Sequence, residues 1–359
     1  MVKAVRFNIM LILALNVMAM MTSCGAKGKD CDCAKKVAAI TNPLPMKIGD
    51  PYLMRAKDGN FYMYGTSPAD GFEVYMTNDF VKWQDCGQVY NGGGSDQWNS
   101  NRFWSPEVFE RNGKYYLFYS ANDKSGSRGE NYKVGVAVSL SPIGPFSDLY
   151  NRPIFDPGYS IIDANVYFDD TSGKAYLYYT RCGNVKVPQE SKMEGRDNRP
   201  DESGSLICVV ELKSDFSGVI GKPRTLLEPT ASMRYDGGYG GTHVFKDGNV
   251  IYMTYSERMD SEQSYNMGYA MSANPLGPFR KAGNNPLLQE NQSRGGMVST
   301  VGHGMVIAMP GGDMYCVYSG RITKSSRDWG VMMDRLAIGK DNLLTIDGPT
   351  VGTQKITYN

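Results

Sequence analysis

The stretch Ser160–Arg181, SIIDANVYFDDTSGKAYLYYTR, governs the reading of the rest of the chain. Val166 and Phe168 alternate with other residues, Asp169-Asp170-Thr171-Ser172-Gly173 supplies a turn, and Tyr176, Tyr178 and Thr180 resume the alternation. Period-two patterning on both sides of a glycine-containing turn predicts a β-hairpin. One carboxylate, Asp163, stands where the first strand opens. By itself such a residue reads as a solvated loop acid; its meaning changes because the unit repeats.

A turn, an aromatic strand and a polar end recur five times: DGNFYMYGTS from Asp58, NGKYYLFYSAN from Asn112, SGKAYLYYTR from Ser172, DGNVIYMTYSE from Asp247 and GGDMYCVYSGR from Gly311. Each copy is preceded by an apolar strand and followed by another strand-like run: FEVYMT, YKVGVAVS, SLICVVEL, YNMGYAMS and VMMDRLAI. The unit therefore holds three or four antiparallel strands and no amphipathic helix of any length. Repeats of this kind predict an all-β, five-bladed β-propeller. A two-layer sandwich would leave the fivefold return unexplained.

In a propeller the first strand of each blade lines the axis, so the residues that open those strands converge on one funnel. Here they are read as Asp50, Glu107, Asp163, Gly240 and His303. Asp50 and Asp163 hold matching places, each three residues before an apolar strand residue, Leu53 or Val166.

The 359 residues carry 38 basic and 37 acidic side chains, a formal net charge of +1. No global field favours nucleic acid or an anionic surface. Lys3 and Arg6, the apolar run Ile9 to Met21, and Thr22-Ser23-Cys24 read as a bacterial lipoprotein signal. Residues 1–23 are then removed, Cys24 is lipidated, residues 24–41 form a tether, and residues 42–359 form the propeller. That places the protein in the bacterial cell envelope, on the outer membrane or its periplasmic side, with the membrane met only through the anchor. Cys31 and Cys33 lack metal-binding partners, and Cys86, Cys182, Cys208 and Cys316 read as free thiols in strands.

With five blades and these motifs in place, the chain resembles glycoside hydrolase family 43 over nearly everything after Asn42. The resemblance rests on Asp50-Pro51-Tyr52, Trp104-Ser105-Pro106-Glu107, Ile162-Asp163-Ala164 with the later Arg181, Gly302-His303-Gly304, the two turns SPIGPF and NPLGPF, and the closing Leu344–Thr350. It implies inverting hydrolysis of α-L-arabinofuranosyl or β-D-xylosyl bonds in fragments of plant polysaccharides such as arabinan and xylan, by a monomer. By the same resemblance Asp50 is the general base, and Asp163 orients the acid and tunes its pKa. His303 lies at the funnel floor, where calcium is often associated through water. Trp104 is a platform for a sugar ring or else a core tryptophan, and Arg181 and Arg321 bind sugar hydroxyls or else make surface ion pairs. The chemistry agrees: inverting glycosidases keep base and acid roughly 6.5 to 9.5 Å apart so that water fits between them.

One position departs from the family pattern. The family's general acid is a glutamate opening the fourth blade, and the matching run here is Gly240-Gly241-Thr242-His243. Glu107 is the candidate substitute, while strand alternation turns His243 away from the axis. The vacancy keeps a second expectation open, a glycan-binding lipoprotein that retained the funnel and lost the chemistry. A propeller serving as a protein-interaction scaffold has only the fold behind it. The polar segment 182–205 is expected to cover the funnel mouth.

Overall fold

The computed structural model describes residues 35–66, 70–125, 131–183, 204–228, 238–258, 265–322 and 329–358. Five four-stranded antiparallel sheets follow one another along the chain, each with its strands in sequence order. Their innermost strands are Gly49–Arg55, Trp104–Arg111, Ile161–Asp169, Tyr239–Asp247 and Val298–Ala308. Each contacts the innermost strand of the next blade, and that of blade five meets that of blade one, which closes a ring around an axis. The five-bladed propeller is thus the observed fold.

The second strands explain why the repeats are aromatic. Tyr64, Tyr119, Tyr179, Tyr255 and Tyr318, one per blade, are fully buried. A buried phenol needs a hydrogen-bond partner, and each has one: Tyr64 Oη donates to Pro142 O (2.6 Å), Tyr119 Oη to Asp148 Oδ1 (2.6 Å) and Tyr318 Oη to Asp334 Oδ2 (2.5 Å). Tyr179 Oη pairs with Tyr159 Oη (3.1 Å), and Tyr255 Oη accepts from Asn285 Nδ2 (3.4 Å). Burying a side chain of this size stabilises the fold by roughly 2–3 kcal/mol, so the tyrosines bring much of the core's apolar area.

Ring closure corrects the expected tether. Lys36–Asn42 is a strand, paired antiparallel with Gly352–Tyr358 from the other end of the chain. Asn42 fastens this clasp to blade five: its Nδ2 donates to Met333 O (3.1 Å) and its Oδ1 accepts from Met333 N (3.0 Å). Strand structure thus extends back from Asn42 to Lys36. The segment KVAAITN is short and weakly patterned, and its partner lies more than three hundred positions away, so nothing local marks it as a strand. Cys24, the signal segment and residues 184–203 lie outside the described residues. Cys182, Cys208 and Cys316 are buried and Cys86 is half-buried.

Candidate active site

Every inner strand breaks its ladder at the same point. Register shifts fall between Gly49 and Tyr52, Trp104 and Glu107, Ile162 and Asn165, Gly240 and His243, and Gly302 and Met305. Inside each shift one residue takes a positive φ: Asp50 (47°), Ser105 (51°), Asp163 (57°), Gly241 (56°) and His303 (47°). Aspartate, histidine and glycine tolerate this left-handed conformation better than most residues. The extra residue in each bulge re-aims a side chain at the axis.

This geometry corrects the assumed equivalence of strand openings. Asp50, Asp163 and His303 do share one position, but Ser105 and Gly241 complete the ring in place of Glu107 and Gly240. Glu107 belongs one step deeper, in a second ring with Tyr52, Asn165, His243 and Met305. The bulge also overturns the expectation for His243. Alternation fails across it, and His243 is half-buried against the axial cavity with Glu107, Asp163 and His303.

A set of hydroxyls holds the upper ring. The residue preceding each bulge pairs across the blade with a serine or threonine of the second strand: Gly49 with Thr66, Trp104 with Ser120, Ile162 with Thr180, Gly240 with Ser256, and Gly302 with Ser319. Four of the five hydroxyls then serve the next blade. The N–H of Asp50 donates to Ser319 Oγ (3.0 Å), that of Ser105 to Thr66 Oγ1 (2.9 Å), that of Asp163 to Ser120 Oγ (3.0 Å) and that of His303 to Ser256 Oγ (2.7 Å). The fifth seam differs: Gly241 N donates to Asp163 Oδ2 (2.9 Å), and Thr180 Oγ1 donates to the same oxygen (3.1 Å). These hydroxyls were missed in the sequence, although each quoted repeat carries one just after its aromatic run.

Asp163 is an acceptor throughout, since Ser105 Oγ also donates to its Oδ1 (2.8 Å). Asp50 is less enclosed. Thr66 Oγ1 donates to Oδ2 (2.7 Å), while Oδ1 faces His303 Nδ1 at 3.5 Å and the side chain keeps 30% of its exposure. Below them the cavity leaves about 20 Å³ for the centres of water-sized molecules, room for about one water.

Glu107 is only 5% exposed. Its Oε2 accepts from Asn165 Nδ2 (2.9 Å), and Val166 N lies 3.2 Å from both of its oxygens. Burial pushes its carboxyl up to about 8, against the opposing pull of hydrogen bonds from Asn165, Val166 and Tyr52. Burial likewise drives His243 down to about 4; its Nε2 lies 3.2 Å from Val306 O.

Gly240 carries no side chain to reach Asp163. A Cβ built there would stand 3.2 Å from Asp163 Oδ2 and 3.5 Å from Thr180 Oγ1, at an ordinary negative φ, so a larger residue fits with a small adjustment. Gly241 is different: its φ is positive and a Cβ would come within 2.9 Å of His303 Nδ1, so any other residue there would be strained unless His303 moved. Trp104 is half-buried and stacks on Tyr132 with ring centres 4.8 Å apart. Arg181 lies over the Tyr159 ring (4.2 Å) and Arg321 over the Trp329 ring (4.8 Å). None of these three residues lines the axial cavity.

Residues 40–342 match the family model described as Glycosyl hydrolases family 43. The chain belongs to that family. Among family-43 relatives, it is 27% identical over 291 residues to an arabinoxylan arabinofuranohydrolase of Paenibacillus polymyxa, an alignment that covers 69% of this chain and 42% of the relative. It is 28% identical over 212 residues to a beta-xylosidase of Xylanibacter ruminicola, covering 56% of this chain and 62% of that protein. The chain thus spans about two fifths to three fifths of these relatives' length. Among solved structures, a thermostable family-43 glycoside hydrolase superposes with a TM-score of 0.74 at 30% identity, covering 88% of this chain and 98% of that one. An endo-1,4-beta-xylanase of Bacteroides thetaiotaomicron superposes with a TM-score of 0.69 at 26% identity, covering 85% and 96%.

Proposed function

We propose that this chain hydrolyses arabinofuranosyl or xylosyl bonds of plant oligo- and polysaccharide fragments with inversion. The observation that carries this reading is the placement of Asp50 and Asp163 in the same left-handed bulge of two blades, with Asp163 and His303 lining the axial cavity and Asp50 Oδ1 3.5 Å from His303 Nδ1. Thr66 fixes Oδ2 of Asp50 and leaves Oδ1 to take a proton from water as the water oxygen attacks the anomeric carbon. The glycosidic bond breaks and its electron pair stays on the departing oxygen. Asp163, held by three donors, orients the groups at that side. Gly240 offers that oxygen no proton, and general acid catalysis is worth roughly 10²- to 10⁴-fold. The reading therefore favours leaving groups that depart as stable anions.

Asp50→Asn tests it. On an aryl arabinoside and an aryl xyloside the variant should lose activity by roughly 10²-fold or more; undiminished turnover contradicts the assignment. Gly240 also supports a second reading, a glycan-binding protein without chemistry. Calorimetry with arabino- and xylo-oligosaccharides beside a sensitive product assay separates the two: saturable binding with no product favours the binder, and product formation removes it.

Among the described residues no three His, Cys, Asp or Glu side chains come together to hold a cation. Calcium takes about six to eight oxygen ligands, so the ion that the resemblance implies at His303 would be met through water rather than by a cluster of these side chains. Acylation of Cys24 in the cell envelope belongs to the same proposal. Cys24→Ser should release the protein from the membrane fraction, and unchanged partitioning refutes the anchor. The chain is taken to act as a monomer, which a single monomer-sized species in sedimentation would bear out and a dimer would contradict.

A further inference from the structure

The lower ring contains a chain of hydrogen bonds that the proposed reaction does not use. Glu107 in blade two accepts from Asn165 Nδ2 and Val166 N in blade three, and Asn165 Oδ1 in turn accepts from Val244 N (3.0 Å) in blade four. Asn165 lies two residues after Asp163, and Val244 lies four residues after Gly240. The chain thus runs directly behind the base-opposed side of the site.

We propose that Glu107 is a positioning residue that ties the strand bearing Asp163 to the strand bearing the vacant acid position, and that it does so as an uncharged carboxylic acid. The proposal deepens the glycosidase reading and rests on that reading for its kinetic test.

The surroundings of Glu107 favour the uncharged form. The titratable groups facing the same cavity are Tyr52 from blade one, Asp163 from blade three, His243 from blade four and His303 from blade five. No lysine or arginine lines it among the described residues. An ionised Glu107 would be a buried charge without a cation, in a cavity already shared with the Asp163 carboxylate, and such burial is costly. The shift of its carboxyl to about 8 follows from that burial. In the neutral form one oxygen keeps its proton inside the cavity, and the other still accepts from Asn165 Nδ2. A carboxyl enclosed in this way, 5% exposed, lacks the access needed to protonate a departing sugar. Glutamine reproduces the arrangement, with an amide N–H in place of the acid O–H.

The test compares Glu107→Gln and Glu107→Ala with the unaltered chain on an aryl arabinoside across pH 5 to 10. A displacement of catalytic groups by about 1 Å can cost on the order of 10²-fold, so Glu107→Ala should lower kcat by up to that factor with a smaller change in KM. Glu107→Gln should recover most of the loss at pH 6. The unaltered chain should lose activity as pH rises through about 8, and the glutamine variant should lack that alkaline limb. Three results would overturn the proposal: a glutamine variant as impaired as the alanine one, an alkaline limb retained in the glutamine variant, or a glutamine defect confined to sugar leaving groups, which would make Glu107 a proton donor. If Glu107→Ala does not fold, the limb in Glu107→Gln decides. If no substrate is turned over, the glycosidase reading fails, and the melting temperature against pH still tests this one: the unaltered chain should weaken toward pH 8 and the glutamine variant should not, while equal weakening in both overturns it.

Discussion

In blade three the left-handed bulge carries Asp163 and the paired hydroxyl is Thr180; in blade four the same bulge carries Gly241 and the paired hydroxyl is Ser256. The backbones are equivalent, and the seam between them is not. At the other four seams a serine or threonine accepts the bulge N–H of the next blade. At this one Thr180 has turned its hydroxyl onto Asp163, and the carboxylate accepts the Gly241 N–H in its place. The carboxylate therefore works both as a site residue and as the fastening between two blades. The comparison also localises the vacancy: Gly240 lacks a side chain in a strand whose backbone, pairing and neighbours are those of a complete blade.

Removing the carboxylate should break this comparison most severely. Asp163→Ala should abolish measurable hydrolysis, a loss of roughly 10²-fold or more. Its effect on stability should be modest, because Thr180 Oγ1 is then free to accept from Gly241 N as the other seams do. Thr180→Val added to Asp163→Ala removes that alternative acceptor and strands a backbone donor, which costs about 1–3 kcal/mol. Thermal or urea unfolding of both single variants and the double should show a cost for the pair that exceeds the sum; simple additivity would mean that Thr180 does not take over.

The lower ring sharpens the contrast through pH. Glu107, raised to about 8 in the folded state, binds a proton that the unfolded chain has released above the ordinary glutamate range, so it lowers stability as pH rises from about 4.5 to 8. His243, lowered to about 4, stays neutral while the unfolded chain gains a proton below about 6.5, so it lowers stability as pH falls from there toward 4. The two slopes oppose one another between about 4.5 and 6.5 and should nearly cancel. Melting temperature should therefore be level over that interval and decline between about 6.5 and 8, by an amount bounded at roughly 2 kcal/mol of stability. Glu107→Gln should remove the decline, and a decline that persists in the variant assigns it elsewhere.

The smallest effect belongs to an ordinary seam. Ser256→Ala leaves His303 N without its acceptor and should cost about 1–3 kcal/mol in unfolding experiments, with hydrolysis reduced only through the looser placement of His303. An unchanged melting temperature would show that water replaces the hydroxyl.

Much of this was legible in the sequence because repetition exposes register. Five aromatic hairpins declared five blades, and Asp50 and Asp163 could be matched through Leu53 and Val166. The vacancy at Gly240 was equally readable, since the run to His243 keeps its length. What failed was the assumption of an unbroken two-residue alternation. A bulge inserts one residue without a composition of its own, so Glu107 was placed one ring too high and His243 was turned the wrong way. The residue types at the bulge, Asp, Ser, Asp, Gly and His, are mostly those that accept a left-handed backbone, and read together they were the available signal. The clasp strand Lys36–Asn42 left no such trace, because its pairing with Gly352–Tyr358 is set by closure of the whole ring.

The site has a candidate base and an intact funnel but no proton donor at Gly240. The most direct measurement is kcat/KM for a series of aryl arabinosides or xylosides of increasing phenol pKa, extended to an unactivated oligosaccharide, with the unaltered chain and with Gly240→Glu. The expected result is a steep fall for the unaltered chain as the leaving group becomes more basic, and for Gly240→Glu a shallow dependence with a selective gain of roughly 10²-fold or more on the oligosaccharide. A shallow dependence in the unaltered chain, or a Gly240→Glu variant that gains nothing on the natural linkage, would refute the missing donor at Gly240.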